Sequence, residues 1–401
     1  MLCMSKRHYS PLKEIPRASI VIPTMRNVAL RTCLDSLRAI DDDGVTFEVL
    51  VVLNDASAEI ELIAADFRDA ITSIRSPVNL GVSGGFNLGF GAARGEYLMQ
   101  LQDDAIVEPG WLKHLVERAD STPSAGAIGS LVVDENHSVI DPGHIVWRDG
   151  ITQSGILANG CEPKNYSECY PIDYHGSVGT LIRREAWQSV SGLDDSYFPA
   201  YYGDVDFCFR LRERGWSILL EPKSRVIHSE SKTSTSLYMS FLIQHHSKTF
   251  SARHADALVG RGIRSTDAKD LEREINRAKN QPIHATPAPP TAKELAALEA
   301  RLVREPADVL RRDRDMRTLF SSWLEETIHH LESENQRLDE LLHSTHQANQ
   351  HLGEQLTTLE KAYGANQQWA AELETALLQR QPSRLHRLFK PFRALLTGRR
   401  T

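Results

Sequence analysis

Two acidic clusters stand 100 positions apart and carry the residue types for one chemistry. The first, Leu101-Gln102-Asp103-Asp104-Ala105, ends an apolar run. The second, Gly203-Asp204-Val205-Asp206-Phe207, is followed by Arg210, Arg212 and then Val226-Ile227-His228. Carboxylate oxygens at a strand end suit Mg2+ or Mn2+, which keep few protein carboxylates and take further oxygens from substrate. A carboxylate on a separate segment can serve as a general base. Upstream of both, Asn79 through Gly89 is dense in Gly and Asn, as a loop is where backbone must approach a ligand. Metal, diphosphate and base together are what sugar transfer from a nucleoside diphosphate requires. The leaving diphosphate is neutralised, the acceptor hydroxyl loses its proton, and the nucleotide is held at the carboxyl ends of parallel strands. Each feature also has a plainer reading. Asp103 and Asp104 read equally as a helix N-cap ahead of Pro109 and Trp111, the loop as a surface turn, and His228 as a packed strand-end histidine. Asp206 reads first as an ion-pair partner of Arg210 or Arg212. The loop is no P-loop, since no Gly-Lys-Ser/Thr follows, and Gly89 through Arg94 fails the dinucleotide fingerprint at its last position.

The elements that must position these residues follow a β-α-β alternation. Ala18–Ile22 and Glu48–Leu53 are short, β-branched and apolar, and read as buried strands. Between them, Val28, Leu30, Leu34, Leu37 and Ile40 recur near helical spacing, giving the unit of a parallel sheet. A helix over 59–70, a strand over 71–75, a helix near 92–94, a strand over 97–101 running into Asp103, and a helix over 111–118 are predicted next.

At 401 residues the chain exceeds one ordinary domain, and a net charge of -7 with 25% charged residues is usual for a soluble protein. Five cysteines without a CxxC pair predict free thiols in a reducing compartment. No signal-peptide core follows Met1, and no run approaches the roughly 18 apolar residues of a membrane span. A cytoplasmic chain is expected, with the sequons at Asn136 and Asn165 irrelevant.

Pro282, Pro287, Pro289 and Pro290 mark a linker, and beyond it the chain turns polar and helical. From 331 to 377 a heptad can be written. Its d positions are Leu331, Leu338, Thr345, Leu352, Leu359, Asn366 and Leu373. Its a positions are Asn335, Leu342, Asn349, Leu356, Tyr363, Ala370 and Leu377. Ten of the fourteen are apolar, which predicts a coiled coil and hence a homodimer. A single helix packed on the enzyme domain is the competing reading, and Gly353 and Gly364 weaken the coil locally. After Gln379 come seven basic residues and no acid, interleaved with Leu385, Leu388, Phe389, Phe392, Leu395 and Leu396. That is the composition of a basic amphipathic helix on an anionic membrane, and it is favoured over nucleic-acid binding because the body is not basic.

Five segments in order resemble a family 2 glycosyltransferase of the GT-A fold, near the bacterial rhamnosyl- and galactofuranosyl-transferase-like members. They are Ile20-Val21-Ile22-Pro23-Thr24, Val51 through Ser57, the Asn-x-Gly…Asn-x-Gly run from Asn79 to Gly89, Leu101–Ala105 at the DxD position, and Phe198–Arg210 with its trailing His228. The resemblance covers roughly residues 17–250. It implies an α/β nucleotide-diphospho-sugar transferase domain over 17–255; the composition beyond it predicts a linker over 256–291, a helical or coiled-coil region over 292–378 and a basic tail over 379–401. It implies Asp204 as the base, Asp104 with Asp103 and His228 as contacts for a divalent metal, and Pro23, Thr24, Asn54, Asp55, Asn79, Gly81, Asn87 and Gln102 around the nucleotide sugar. His175, Gly176 and Asp206 would face the acceptor, with Trp187, Tyr197, Tyr201 and Tyr202 as candidates to stack on sugar or to fill the core. Two departures stand out: Gln102 replaces the first DxD aspartate, and Gly203 stands where the family usually has Glu. The expected activity is inverting transfer to a glycan acceptor, lipid-linked and made at the cytoplasmic membrane face. A nucleotidyltransferase, which would want a basic Gly-rich loop where Pro23-Thr24-Met25-Arg26-Asn27 stands, and a non-catalytic scaffold are the alternatives.

Overall fold

The computed structural model describes residues 15–40, 44–156, 162–228, 236–283, 287–303 and 305–380. They fall into two compact units, Met1–Phe320 and Ser321–Thr401. The first is organised by a ten-stranded mixed sheet. Its strands are β1 (Ala18–Thr24), β2 (Phe47–Asn54), β3 (Thr72–Ser76), β4 (Tyr97–Gln100), β5 (Ala105–Val107), β6 (Ala125–Val133), β7 (Val139–Asp141), and β10 (Tyr170–Pro171), β11 (Thr180–Arg183) and β12 (Ser217–His228). Two short strands, β8 (His144–Val146) and β9 (Thr152–Ser154), form a separate hairpin. The helices are α1 (Leu30–Ala39), α2 (Ala58–Asp66), α3 (Gly81–Ala92), α4 (Trp111–Ser121), α5 (Arg184–Ser189), α6 (Gly203–Glu213), α7 (Ser236–Arg253), α8 (Ala255–Leu258), α9 (Ala268–Lys279), α10 (Ala292–Leu302) and α11 (Pro306–Arg380).

The order β10-β12-β6-β11-β4-β1-β2-β3 is parallel through β4, β1, β2 and β3, and β11 runs against its neighbours. This is the mixed α/β architecture expected, with a helical region after it. The β-branched runs of β1 and β2 are buried on both faces, as strands between two helical layers must be. Because β4 and β6 point the same way and β12 is parallel to β6, the carboxyl ends of β1, β2, β4 and β12 share one edge of the sheet.

One local prediction fails. The stretch from Gly81 is not a loop but α3, and the short helix predicted near 92–94 is only its end. Its glycines are there for close packing. A Cβ at Gly89 would lie 2.2 Å from Val21 Cγ1, and one at Gly85 would lie 2.9 Å from Pro23 Cβ. The helix thus lies flush on β1, although five of its twelve residues (Gly81, Gly84, Gly85, Gly89 and Gly91) are glycines.

The stretch 256–291, expected as linker, contains α9, which an ionic cluster fastens to the sheet. The wholly buried Asp173 accepts from Arg261 Nη1 at 2.6 Å, Arg277 Nη2 at 2.5 Å and Gln281 Nε2 at 2.7 Å. A capping box, Thr291 with Glu294, starts α10, whose Leu302 packs on Gly91 of α3. Cys33, Cys169 and Cys208 are free thiols. In the second unit the described residues continue α11 to Arg380, and the basic tail after it lies outside the described residues. Among the described residues no helix is long and apolar enough to cross a membrane.

Candidate active site

The site is assembled where β4 ends. Residues 101–104 leave the sheet, and β5 returns antiparallel to the end of β12, in a register that sets His228 opposite Ala105. This pairing rules out the helix N-cap reading of the two aspartates. It brings His228 Nε2 to 3.2 Å from Asp104 Oδ1 and 3.1 Å from Gln102 Oε1. Gln102 in turn donates through Nε2 to Ser177 Oγ at 3.1 Å. The glutamine at the first DxD position is therefore a bridge from His228 to the segment before β11.

Asp103 faces the other way. Its Oδ2 accepts from Thr24 Oγ1 at 2.6 Å and its Oδ1 from Asn27 Nδ2 at 3.1 Å. Burial raises its pKa to about 6, assisted by the neighbouring Asp104 and opposed by the Thr24 and Asn27 hydrogen bonds. Thr24 is itself buried, so its hydroxyl positions Asp103. Asn27 and Ser177 were not anticipated; the only sign of either was a polar residue in the turn after β1 and in His-Gly-Ser.

Two ligands at right angles, each about 2.1 Å from an ion, stand about 3.0 Å apart. Asp104 Oδ1 and His228 Nε2, at 3.2 Å, match that spacing. Among the described residues no three His, Cys, Asp or Glu side chains form a metal cluster. Two protein ligands with the remainder from diphosphate and water is the pattern Mg2+ adopts in substrate complexes.

Asp204 lies in the first turn of α6, where the helix dipole favours a carboxylate. Its Oδ1 accepts from Val205 N at 2.9 Å. Its Oδ2 is 3.7 Å from where a Cβ on Gly176 would be, so Gly176 lies against the carboxylate. Burial pushes its pKa up, against the Val205 hydrogen bond and the nearby His144. That is the direction a general base at neutral pH needs. His144, absent from the sequence reading because the β8–β9 hairpin was not foreseen, stacks on Tyr174 at 4.6 Å and lies 3.3 Å from Asp141.

Gly203 has a structural cause. A Cβ there would lie 2.4 Å from Ser83 Oγ on α3, so the two helices meet where a larger residue would stand. Just before it, Tyr201 and Tyr202 both hold φ of 68°, a conformation costly for residues with a Cβ and frequent at functional sites. The Tyr202 ring is buried and its hydroxyl donates to Gly150 O at 3.0 Å. Trp187 and Tyr197 are buried too, whereas Tyr201 is 36% exposed.

Asp206 points away from Asp204 into the core. It is fully buried, bonded to Arg210 Nε at 2.7 Å, Arg253 Nη1 at 2.8 Å and His254 Nε2 at 3.0 Å. Burial alone would raise its pKa; the cations hold it well below the carboxylate range. The ion-pair reading of Asp206 is the one the contacts fit, and an acceptor-facing role is not. His175 is likewise enclosed, with Nε2 at 2.8 Å from Ser130 O and Nδ1 at 2.7 Å from Thr180 Oγ1, and burial lowers its pKa. Asn87 is buried and ties α3 to Leu193, donating to its carbonyl at 2.8 Å and accepting from its N–H at 3.0 Å. Asn54 stitches β2 to the start of α3, accepting from Leu80 N at 2.8 Å and donating to Asn79 Oδ1 at 3.2 Å. Asn79 also accepts from Gly81 N. Asp55 is exposed at the end of β2 with φ of 57°, and Pro23 is half-buried beneath Gly85.

The family described as Glycosyl transferase family 2 matches residues 19–188, the span from β1 into α5. Residues 19–188 carry a family 2 glycosyltransferase domain. Among its relatives, the N-acetylglucosaminyl-diphospho-decaprenol L-rhamnosyltransferase of Mycobacterium tuberculosis is 27% identical over 203 residues, covering 41% of this chain and 64% of that protein. The succinoglycan biosynthesis protein ExoO of Rhizobium meliloti is 38% identical over 97 residues, 24% of this chain and 28% of that protein. The uncharacterized protein y4gI of Sinorhizobium fredii is 26% identical over 240 residues, 57% of this chain and 26% of that protein. The chain thus spans less than two thirds of the length of each. The transferase domain's mixed sheet is the GT-A fold that the resemblance implied.

Proposed function

We propose that the chain is an inverting glycosyltransferase that moves a sugar from a nucleoside-diphosphate sugar to a glycan acceptor. The observation that carries this is the meeting of Asp104 and His228 at 3.2 Å on the sheet edge, with Asp204 separately placed in the first turn of α6. A divalent ion, Mg2+ or Mn2+, would be held by Asp104 and His228 and would offset the charge that grows on the leaving diphosphate. Asp103 is kept in place by Thr24 and Asn27, and Gln102 orients His228. The exposed Asp55 and the Asn54–Asn79 corner form the nucleotide side. Asp204 Oδ2 takes the proton of the acceptor hydroxyl as its oxygen forms the bond to the anomeric carbon. The bond from that carbon to the diphosphate oxygen breaks in the same displacement, with inversion.

The acceptor we propose is a lipid-linked glycan of envelope polysaccharide synthesis, such as an O-antigen precursor. The diphospho-decaprenol acceptor named for the rhamnosyltransferase supports a lipid-linked acceptor, and the succinoglycan biosynthesis named for ExoO supports polysaccharide synthesis. The basic, apolar residues after Gln379 would hold the chain on the anionic cytoplasmic membrane face, and the heptads before them would pair it with a second copy. The test is mass spectrometry of products from a panel of UDP-, GDP- and dTDP-sugars, with and without EDTA. A sugar-extended product that chelation abolishes is expected. Turnover undiminished in EDTA would remove the metal, and no product from any donor would favour a non-catalytic scaffold.

A further inference from the structure

The last helix leaves an apolar seam uncovered. From Leu331 to Leu373 every large apolar residue at an a or d position is 45–69% exposed, as are Leu341 and Trp369 at g. A helix with such a stripe is stable in water when the stripe is covered. Over 331–373 the seam is about 65 Å long and about 10 Å wide. Two partners would together bury on the order of 1,300 Å2, within the roughly 1,200–2,000 Å2 of stable interfaces.

We infer that a second copy of this chain covers it in a parallel, in-register pair. This rests on the self-association proposed above and adds its direction. In a parallel pair each a or d residue meets its own copy across the seam. Asn335 then faces Asn335, Asn349 faces Asn349, Asn366 faces Asn366 and Thr345 faces Thr345, so every polar core residue gains a hydrogen-bonding partner. The fully overlapped antiparallel pair sets a against d, so that the two positions sum to 708. Asn335 then meets Leu373, Asn349 meets Leu359, Asn366 meets Leu342 and Thr345 meets Tyr363. Each of these four contacts would bury a polar group against an apolar or mismatched one.

A parallel pair also brings the two chains to Arg380 at the same end, so that both basic tails begin side by side and their membrane affinities compound.

The test uses the full chain. Light scattering on the parent is expected to give twice the chain mass at micromolar concentration, and Leu352→Asp with Leu359→Asp the single mass. A retained circular-dichroism spectrum and thermal transition of the first unit would show that the variant remains folded. Asn335→Cys under mild oxidation is expected to form a disulfide to itself across the pair, above the background of the native thiols. In the antiparallel pair the two residues 335 would be more than about 50 Å apart and no such bond forms. A single mass for the parent overturns self-association. A double mass without the 335–335 bond, but with a bond in an equimolar mixture of Asn335→Cys and Leu373→Cys chains, overturns the parallel direction alone. Neither readout involves sugar, so both are independent of the transferase reading.

Discussion

Asp173 offers the sharpest test of how the domain is held together. It immediately precedes the Tyr174–Gly176 segment that flanks Asp204, and it is the point at which residues 261–281 are fastened to the sheet. Burial would raise its pKa, but Arg261, Arg277 and Arg212 bring it from 3.8 down to about 2. At about 1.4 kcal/mol per pKa unit that fall corresponds to about 2–3 kcal/mol in favour of the charged, paired form. Asp173→Asn also leaves enclosed guanidinium groups without their counter-charge, and breaking a buried pair costs about 3–5 kcal/mol. We expect a loss of about 3 kcal/mol at pH 7, read from the urea midpoint of the first unit's transition. The sign with pH is fixed. A depressed carboxylate stabilises in full above its ordinary value near 4 and loses that contribution as pH falls through about 2. The gap between parent and variant should be constant from pH 5 to 8 and narrow below pH 4. A variant within about 0.5 kcal/mol of the parent at pH 7, or a gap that widens on acidification, would refute the reasoning.

Other expectations follow from single contacts. Gly203→Glu would drive a side chain into Ser83 Oγ, 2.4 Å from the new Cβ, and should cost about 1–3 kcal/mol. Adding Ser83→Ala should recover most of that loss in a thermal melt; equal melting of parent and Gly203→Glu would show the contact to be unimportant. Tyr201→Ala removes the exposed aromatic before the base. An aromatic contact of about 0.5–1.5 kcal/mol predicts an acceptor KM raised roughly 2–10-fold with donor hydrolysis unchanged, and an unchanged acceptor KM would exclude stacking there. Removing residues 380–401 should move the chain from the membrane pellet to the supernatant, and continued pelleting would contradict membrane attachment through the tail.

The sheet was legible in the sequence because its strands are apolar, β-branched and bounded by polar turns: β1, β2, β3 and β4 lie where their patterns predicted. α3 was not legible, because its glycines signal a loop locally while the reason for them is Val21 and Pro23 on another element. The same holds for the site. Asp104, His228 and Asp204 could be picked out as residue types in ordered motifs. That Thr24 serves Asp103, that Gln102 spans His228 and Ser177, and that Asn87 and His175 are enclosed depends on pairings over 45 or more positions. Asp206 shows the limit most plainly, since two positions along one helix turn separate the proposed base from a buried ion-pair centre.

The central claim is that Asp204 takes the acceptor proton. The measurement is a paired one on Asp204→Asn: calorimetric titration with the donor found by the product panel, and initial rate of transfer with the parent's acceptor. The account predicts donor affinity within about twofold of the parent and transfer reduced by 100-fold or more, in line with the roughly 10²–10⁴ contributed by general base catalysis. Transfer at the parent rate with donor binding intact would contradict it.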